Sequence, residues 1–356
     1  MNNKFIYLLL FVHLTVSYFN NEVGHYLAFG FLNILILLNC GTYVKKEHSV
    51  LQFWFLISLF NLVLLSLFSP GSIFARVLFI DYFFVVYILF FELSQKSQKT
   101  IAKSRVSITL GLYLLAFLIL SVISNTYSAG RFSGFYSNAL NFSGLFVGVA
   151  SLIYLALSRS YFFVYVLTAV ILAVMVKSKI IVAVLISTCA IRLYRYSKLA
   201  FCIISFAVFL ALIAVYSYLD FGIVMEIYSL EPGAILHRLE RYFEITRIGL
   251  SINNLANPTL CSKFLESTCL TSESFVFGVL LGYGLLSGSL FIAMLVSIAR
   301  ISVLIPFLVF MLLSAGLFTP SIIFVSYSVL RILGDRDLLN DNKSSISPKL
   351  QQRVSV

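Results

Sequence analysis

Hydrophobic positions do not alternate along this chain or recur every third or fourth residue; they run on. Apolar stretches occupy 4–19, 25–44, 49–68, 74–93, 106–124, 143–158, 161–176, 179–193, 200–217, 274–297, 301–318 and 320–333. A helix needs about 20 mainly apolar residues, in a range of roughly 17–25, to cross a bilayer. The pattern therefore predicts an all-α, polytopic membrane protein of about twelve (10–12) spans. The least marked breaks are at Arg159, at Lys177 to Lys179 and at Thr319-Pro320. No A-x-A-like cleavage site follows the first run, so it reads as a retained helix rather than a signal peptide.

Composition agrees. Of 356 residues, 60% are apolar and only 11% are charged, against roughly a quarter charged in soluble domains. So little charge cannot cover the exterior of a soluble fold. That excludes a soluble enzyme, a disordered chain and a nucleic-acid-binding domain. The net charge of +11 is first a matter of topology. With both termini inside, 17 of the 25 Lys and Arg fall in cytoplasmic loops and 8 outside, giving +12 inside and −1 outside. This is the positive-inside asymmetry, and it calls for no nucleic-acid partner.

One membrane domain is expected over 1–333, followed by a polar, Ser/Lys-rich cytoplasmic tail over 334–356 that reads as disordered. Two outer segments interrupt the helices. Residues 125–142, NTYSAGRFSGFYSNALNF, are polar, aromatic and Gly-bearing, with Gly134, Asn138 and Asn141 suggesting a tight turn beside Arg131. Residues 218–273 form a loop far longer than usual connections, and such loops tend to carry function.

Candidate chemistry gathers in these segments. His237, Arg238, Arg241 and Arg247 lie at helical spacing with Glu240 and Glu244. Two readings stand: an amphipathic surface helix with internal ion pairs, or a guanidinium site whose planar forks match phosphate oxygens. Lys177 and Lys179 flank a short outer turn and serve either interfacial snorkelling or an anionic headgroup. Arg76 and Asp81, five apart in the fourth run, are placed for a poorly aligned ion pair. Glu273 opens the tenth run, either as a helix cap or as a general base at the membrane boundary, with His237 or Glu240 next in line. Cys261 and Cys269, both in the long loop, form a disulfide if that loop faces an oxidising compartment, or else two free thiols. Cys40, Cys189 and Cys202 read as small buried residues within spans. Four His and five Cys show no metal-ligand spacing.

Three places together carry a resemblance. RFSGFYSNALNFSG is similar to an Arg/Gly/Asn-rich outer segment, and Arg238 to Arg247 resembles an arginine-bearing start of a large periplasmic loop. At the loop exit stands Glu273-Ser274, nine residues, then Gly284-Leu285-Leu286-Ser287. The layout resembles the O-antigen polymerases (Wzy type) and O-antigen ligases, polytopic inner-membrane glycosyltransferases of the GT-C kind. The ligases carry His where this chain has Glu273, which favours the polymerase branch.

The resemblance implies undecaprenyl-pyrophosphate-linked oligosaccharide as donor and acceptor, joined at the periplasmic face of the bacterial inner membrane without metal or other cofactor. Arg131, Arg238, Arg241, Arg247, Lys177, Lys179, Asn138 and Asn141 would contact pyrophosphate or glycan. Glu273 or His237 would take the proton, and a chain-length regulator is a possible partner. A ligase is the alternative within the superfamily; a lipid-linked oligosaccharide flippase is the alternative outside it.

Overall fold

The computed structural model describes residues 3–38, 49–68, 73–95, 108–128, 130–136, 149–156, 159–218, 243, 247, 275–301, 304–313 and 319–333. Twelve helices have described bounds: α1 Asn3–Phe19, α2 Asn21–Leu37, α3 Ser49–Phe68, α4 Ile73–Gln95, α5 Ile108–Ser124, α6 Val149–Ala156, α7 Arg159–Val176, α8 Lys179–Tyr196, α9 Lys198–Tyr218, α10 Phe275–Ala299, α11 Ile305–Leu313 and α12 Pro320–Leu333. Each lies on one of the expected apolar runs, and among the described residues the secondary structure is helical apart from one hairpin. Among the described residues, one helical stretch, Arg76–Ser94, is long and apolar enough to cross a membrane, and seven shorter apolar stretches have 10–17 residues.

Local chemistry sets the breaks. Asn20 adopts extended backbone and its side chain accepts the Val23 amide at 3.2 Å, an N-cap that starts α2 only one residue after α1 ends. Ser197 does the same between α8 and α9, its hydroxyl accepting the Ala200 amide at 3.2 Å. Lys177 takes a left-handed φ of 52° between α7 and α8. Pro320 occupies the first position of α12, where its missing N–H costs nothing, and the Thr319 carbonyl accepts from Ile322 and Ile323.

Two expectations need correction. The outer segment 125–142 is not all loop: β1 Thr126–Ser128 and β2 Arg131–Gly134 pair antiparallel. Gly130 (φ 70°) turns the chain back, and Thr126 and Ser124 hydroxyls donate to the Gly134 carbonyl. Hydroxyl-rich β-compatible residues flanking a glycine outweigh the helical context.

The tenth run is also not one continuous span. Gly284 sits at φ 80°, ψ 177°, a region open in practice to glycine alone. A Cβ built on Gly288 would lie 3.0 Å from the Leu280 Cα, whereas eight residues of straight helix cover about 12 Å. Thus 275–283 and 285–299 fold against each other about Gly284. Both limbs line α4: Tyr283 stacks on Phe79 (4.5 Å), and Phe275 and Phe291 both meet Phe90 (5.3 and 5.5 Å).

At the centre stands α12. Every described residue from Ser321 to Leu330 is buried, with α1, α2, α4 and α6 packed around it. Its far end is fixed by Arg331, which donates to Glu92 of α4 at 3.1 Å. Its near end lies where α1 meets α2.

Candidate functional site at the hairpin end

The near end of α12 carries a polar cluster that the sequence reading did not single out. Ser321, the second residue of α12, lies between two imidazoles: His13 Nε2 of α1 at 3.0 Å and His25 Nδ1 of α2 at 2.7 Å. Ser17, one turn beyond His13, places its hydroxyl 3.1 Å from the same Nε2. The Asn20 cap makes this possible by bringing α1 and α2 back to back. Gly24 completes it, because α1 passes so close that a Cβ there would lie 2.8 Å from the Ser17 Cα.

Hydrogen-bond accounting orients the cluster. His13 is fully buried and its Nδ1 meets no partner. Orphaned buried N–H groups are rarer than under-used acceptors, so the His13 proton belongs on Nε2, donated to Ser321. The Ser321 hydroxyl then donates to His25 Nδ1, which leaves the His25 proton on Nε2. The bond to Ser321 fixes the orientation of the His25 ring. Phe324, one turn into α12, packs edge-on to His13 at 5.2 Å.

The β-hairpin closes over this cluster. β2 packs on α5 and α7, and the buried Phe132, Phe135 and Tyr136 anchor it. Phe135 stacks on Tyr136 (4.9 Å) and meets Phe117 and Tyr18 edge-on (5.3 and 6.1 Å). The Tyr136 ring lies 6.2 Å from that of His25. Its hydroxyl is buried without a hydrogen-bond partner, as is that of Tyr113 on α5, which is within electrostatic reach of Tyr136.

The sequence-predicted residues distribute unevenly. Arg131 begins β2 on this hairpin with an exposed side chain. Lys177 is exposed in the α7–α8 turn, and Lys179 opens α8. Arg247 is helical and exposed. Asn138, Asn141, His237, Arg238, Arg241, Glu240, Glu273, Cys40, Cys261 and Cys269 lie outside the described residues. α10, at whose start Glu273 was expected, begins with Phe275 against Phe90, in the second half of α4.

Arg76 and Asp81 take other partners. Arg76 donates to the Ser66 and Leu67 carbonyls at the end of α3, at 3.0 and 3.3 Å, and Asp81 accepts from Asn33 of α2 at 2.8 Å. Cys189 is half-buried, and Cys202 is exposed on α9, not buried as its apolar surroundings suggested. Among the described residues no three His, Cys, Asp or Glu side chains are grouped to hold a metal ion.

The cluster brings together two imidazoles, two buried tyrosine hydroxyls without hydrogen-bond partners and an aromatic wall. The missed signal was available: His13 and His25 are ionisable residues in otherwise apolar helices, a position that is functional by default. Comparison with protein-family models, curated proteins and solved structures yields no match for this chain.

Proposed function

We propose that the chain is a polytopic inner-membrane glycosyltransferase of about twelve spans that polymerises undecaprenyl-pyrophosphate-linked oligosaccharide repeat units at the periplasmic face. The membrane reading rests on the outward faces of the helices. Phe19, Phe53, Phe163, Val174 and Leu199 are all more than 60% exposed. α9, about 31 Å long by helical rise, shows Ile203, Phe206 and Val208 to the outside. Apolar surface this continuous is untenable in water but is the natural exterior in lipid, where helices satisfy their own backbone.

The polymerase reading rests on the resemblance, and one observation carries it: the segment RFSGFY, on which the resemblance partly stands, packs beside the histidine cluster at the first turn of the central helix, the Tyr136 ring lying 6.2 Å from that of His25. Both outer turns that flank the cluster, Asn20 and Thr319, lie on the periplasmic side in the charge-based topology.

In the proposed reaction an acceptor sugar hydroxyl attacks the donor's anomeric carbon. The new glycosidic C–O bond forms as the bond from that carbon to the phosphate oxygen breaks, with inversion. The hydroxyl proton passes to a base, for which Glu273 and His237 are the sequence candidates, and the bond electrons leave on undecaprenyl pyrophosphate. Arg131, Arg238, Arg241 and Arg247, with Lys177 and Lys179, would stabilise that charge as it develops.

The glycolipid profile of a strain lacking the gene tests this. Loss of a polymerase leaves single repeat units on the lipid A core. Bare core with polymer retained on the carrier lipid would indicate a ligase, and an unaltered ladder refutes both. Asp81, held by Asn33 inside the helix array, favours a flippase as second reading; its loss would strand repeat units on the cytoplasmic leaflet.

A further inference from the structure

Between Glu92 and Asp220 the chain has no Asp or Glu, while Lys and Arg recur throughout. Sidedness alone does not explain this, because the positive-inside bias counts Lys and Arg and takes little account of acids. Three of these cations meet at one turn. Arg192 and Arg195 lie three apart at the end of α8, and Lys198 opens α9 directly after Ser197. Arg195 and Lys198 are exposed, and among the described residues neither has a carboxylate partner. The Lys198 ammonium lies 5.8 Å from the centre of the Tyr194 ring, which meets Phe201 edge-on at 5.6 Å. Tyr194 and Tyr196 are themselves exposed. Cations beside amphipathic rings are the composition of a membrane–water boundary.

α9 packs on α8 and leads away from this turn almost uncovered. Every residue from Cys202 to Val208 is exposed. That is nearly two turns of helix, so a mainly apolar surface faces outward in all directions there. A helix of this kind is stable only in lipid or under a partner. A molecule with a negative headgroup and apolar chains fits both features at once, its headgroup on Arg195 and Lys198 and its chains along α9. A nucleic acid or an acidic protein would use the charges and leave Ile203, Phe206 and Val208 in water.

We propose that the α8–α9 turn and the uncovered surface of α9 form a docking site for anionic phospholipid of the cytoplasmic leaflet, held by Arg195 and Lys198 with Arg192 beside them. The assignment rests on the membrane part of the proposed function and needs nothing of the polymerase.

The test titrates full-length protein in neutral detergent with phosphatidylglycerol or with phosphatidylcholine of the same chains, and native mass spectrometry reads the lipid retained. The wild type should hold phosphatidylglycerol the more tightly. Each basic group near a membrane surface is worth about fivefold towards anionic lipid. Arg195→Gln combined with Lys198→Gln should therefore weaken phosphatidylglycerol binding about twenty-fivefold and leave phosphatidylcholine unchanged. Arg300→Gln removes an exposed cation on the same side in the charge-based topology and should change neither. Inorganic phosphate should not displace the lipid, because it brings no chains to α9.

Equal retention of the two lipids by the wild type overturns the proposal, whether or not the variants fold. So does unchanged phosphatidylglycerol binding in the double variant. A dimer that falls apart in the double variant and retains no phosphatidylglycerol would give α9 to a second copy and overturn it too. Release of the protein from membranes by alkaline carbonate removes the membrane reading and this proposal together. A protein that stays in the membrane without preferring phosphatidylglycerol loses the proposal alone. An unaltered ladder on gene deletion removes the polymerase and leaves a demonstrated lipid site standing.

Discussion

Substituting Gly24 by Ala probes the contact on which the histidine cluster depends. A Cβ at this position would lie 2.3 Å from the Ser17 Oγ, 2.9 Å from its Cβ and 2.8 Å from its Cα. A hydroxyl can rotate away, but the Cα belongs to the backbone of α1. Restoring ordinary contact at 3.4 Å requires α1 and α2 to part by about 0.6 Å, the difference between 3.4 and 2.8 Å. Ser321 bridges His13 of α1 and His25 of α2 at 3.0 and 2.7 Å, so the same parting lengthens one or both of these bonds and weakens the relay. Overpacking of this kind costs about 1–3 kcal/mol, and a lost buried hydrogen bond adds about 0.5–1.5 kcal/mol.

The expected outcome for Gly24→Ala is a melting midpoint lower by several degrees in detergent and, on the polymerase reading proposed above, a shortened polymer ladder. Ser17→Gly in the same chain removes two of the three contacts and leaves the Cα, so it should restore part of the midpoint. Gly30→Ala is the control: nothing lies within 4 Å of its Cβ, and a helical Gly→Ala change there should be neutral or stabilising by up to about 1 kcal/mol. If Gly24→Ala melts with the wild type and Gly30→Ala does not differ from it, α1 and α2 are not in the close contact described, and the geometry of the cluster falls with it.

Other outcomes follow from the same structure. Gly284→Ala forces a side chain into a backbone region reserved for glycine and should cost about 1–3 kcal/mol, read as a lower midpoint; an unchanged one would mean that the limbs of α10 do not fold at Gly284. Glu92→Ala leaves Arg331 without its carboxylate in a largely buried position and should destabilise by about 1–3 kcal/mol, less than a fully buried pair. Adding Arg331→Met should recover much of that loss, and simple additivity of the two changes would refute the coupling. A reporter active only in the periplasm should work when fused after residue 255 and fail after residue 100; the reverse would place the hairpin end in the cytoplasm. Glu273→Ser should abolish polymer at normal protein level if Glu273 is the base, because serine caps a helix but is a far weaker base; normal ladders would reduce Glu273 to a cap.

The twelve helices were legible because each is written as a local run of apolar residues, and their ends are written as local chemistry. Asn20, Ser197 and Pro320 act through bonds to residues within one turn, so reading them needs no knowledge of the fold. The hairpin was less legible. Its strands are three and four residues long, too short to show a period, and their hydroxyl bonds to the Gly134 carbonyl become visible only once the chain has turned at Gly130. The fold at Gly284 was hidden for another reason. Apolar residues continue on both sides of it, and hydropathy does not distinguish one straight helix from two limbs.

Most of the candidate chemistry read from the sequence lies in the long outer loop, where charge stands out against apolar flanks. His13, His25, Ser321, Tyr113 and Tyr136 do not stand out in that way. They are single polar residues on four different helices and the segment that follows β2, with His13 and Ser321 separated by 308 positions. What the sequence by itself determined was the place of the described helices and the punctuation between them, since these depend on composition over a turn or a span. Only the tertiary structure decided that α12 is enclosed on all sides and that three helices and a hairpin converge at its first turn. Convergence depends on which helix faces pack together, and that is set by long-range fit, such as Gly24 against Ser17, which no local window contains.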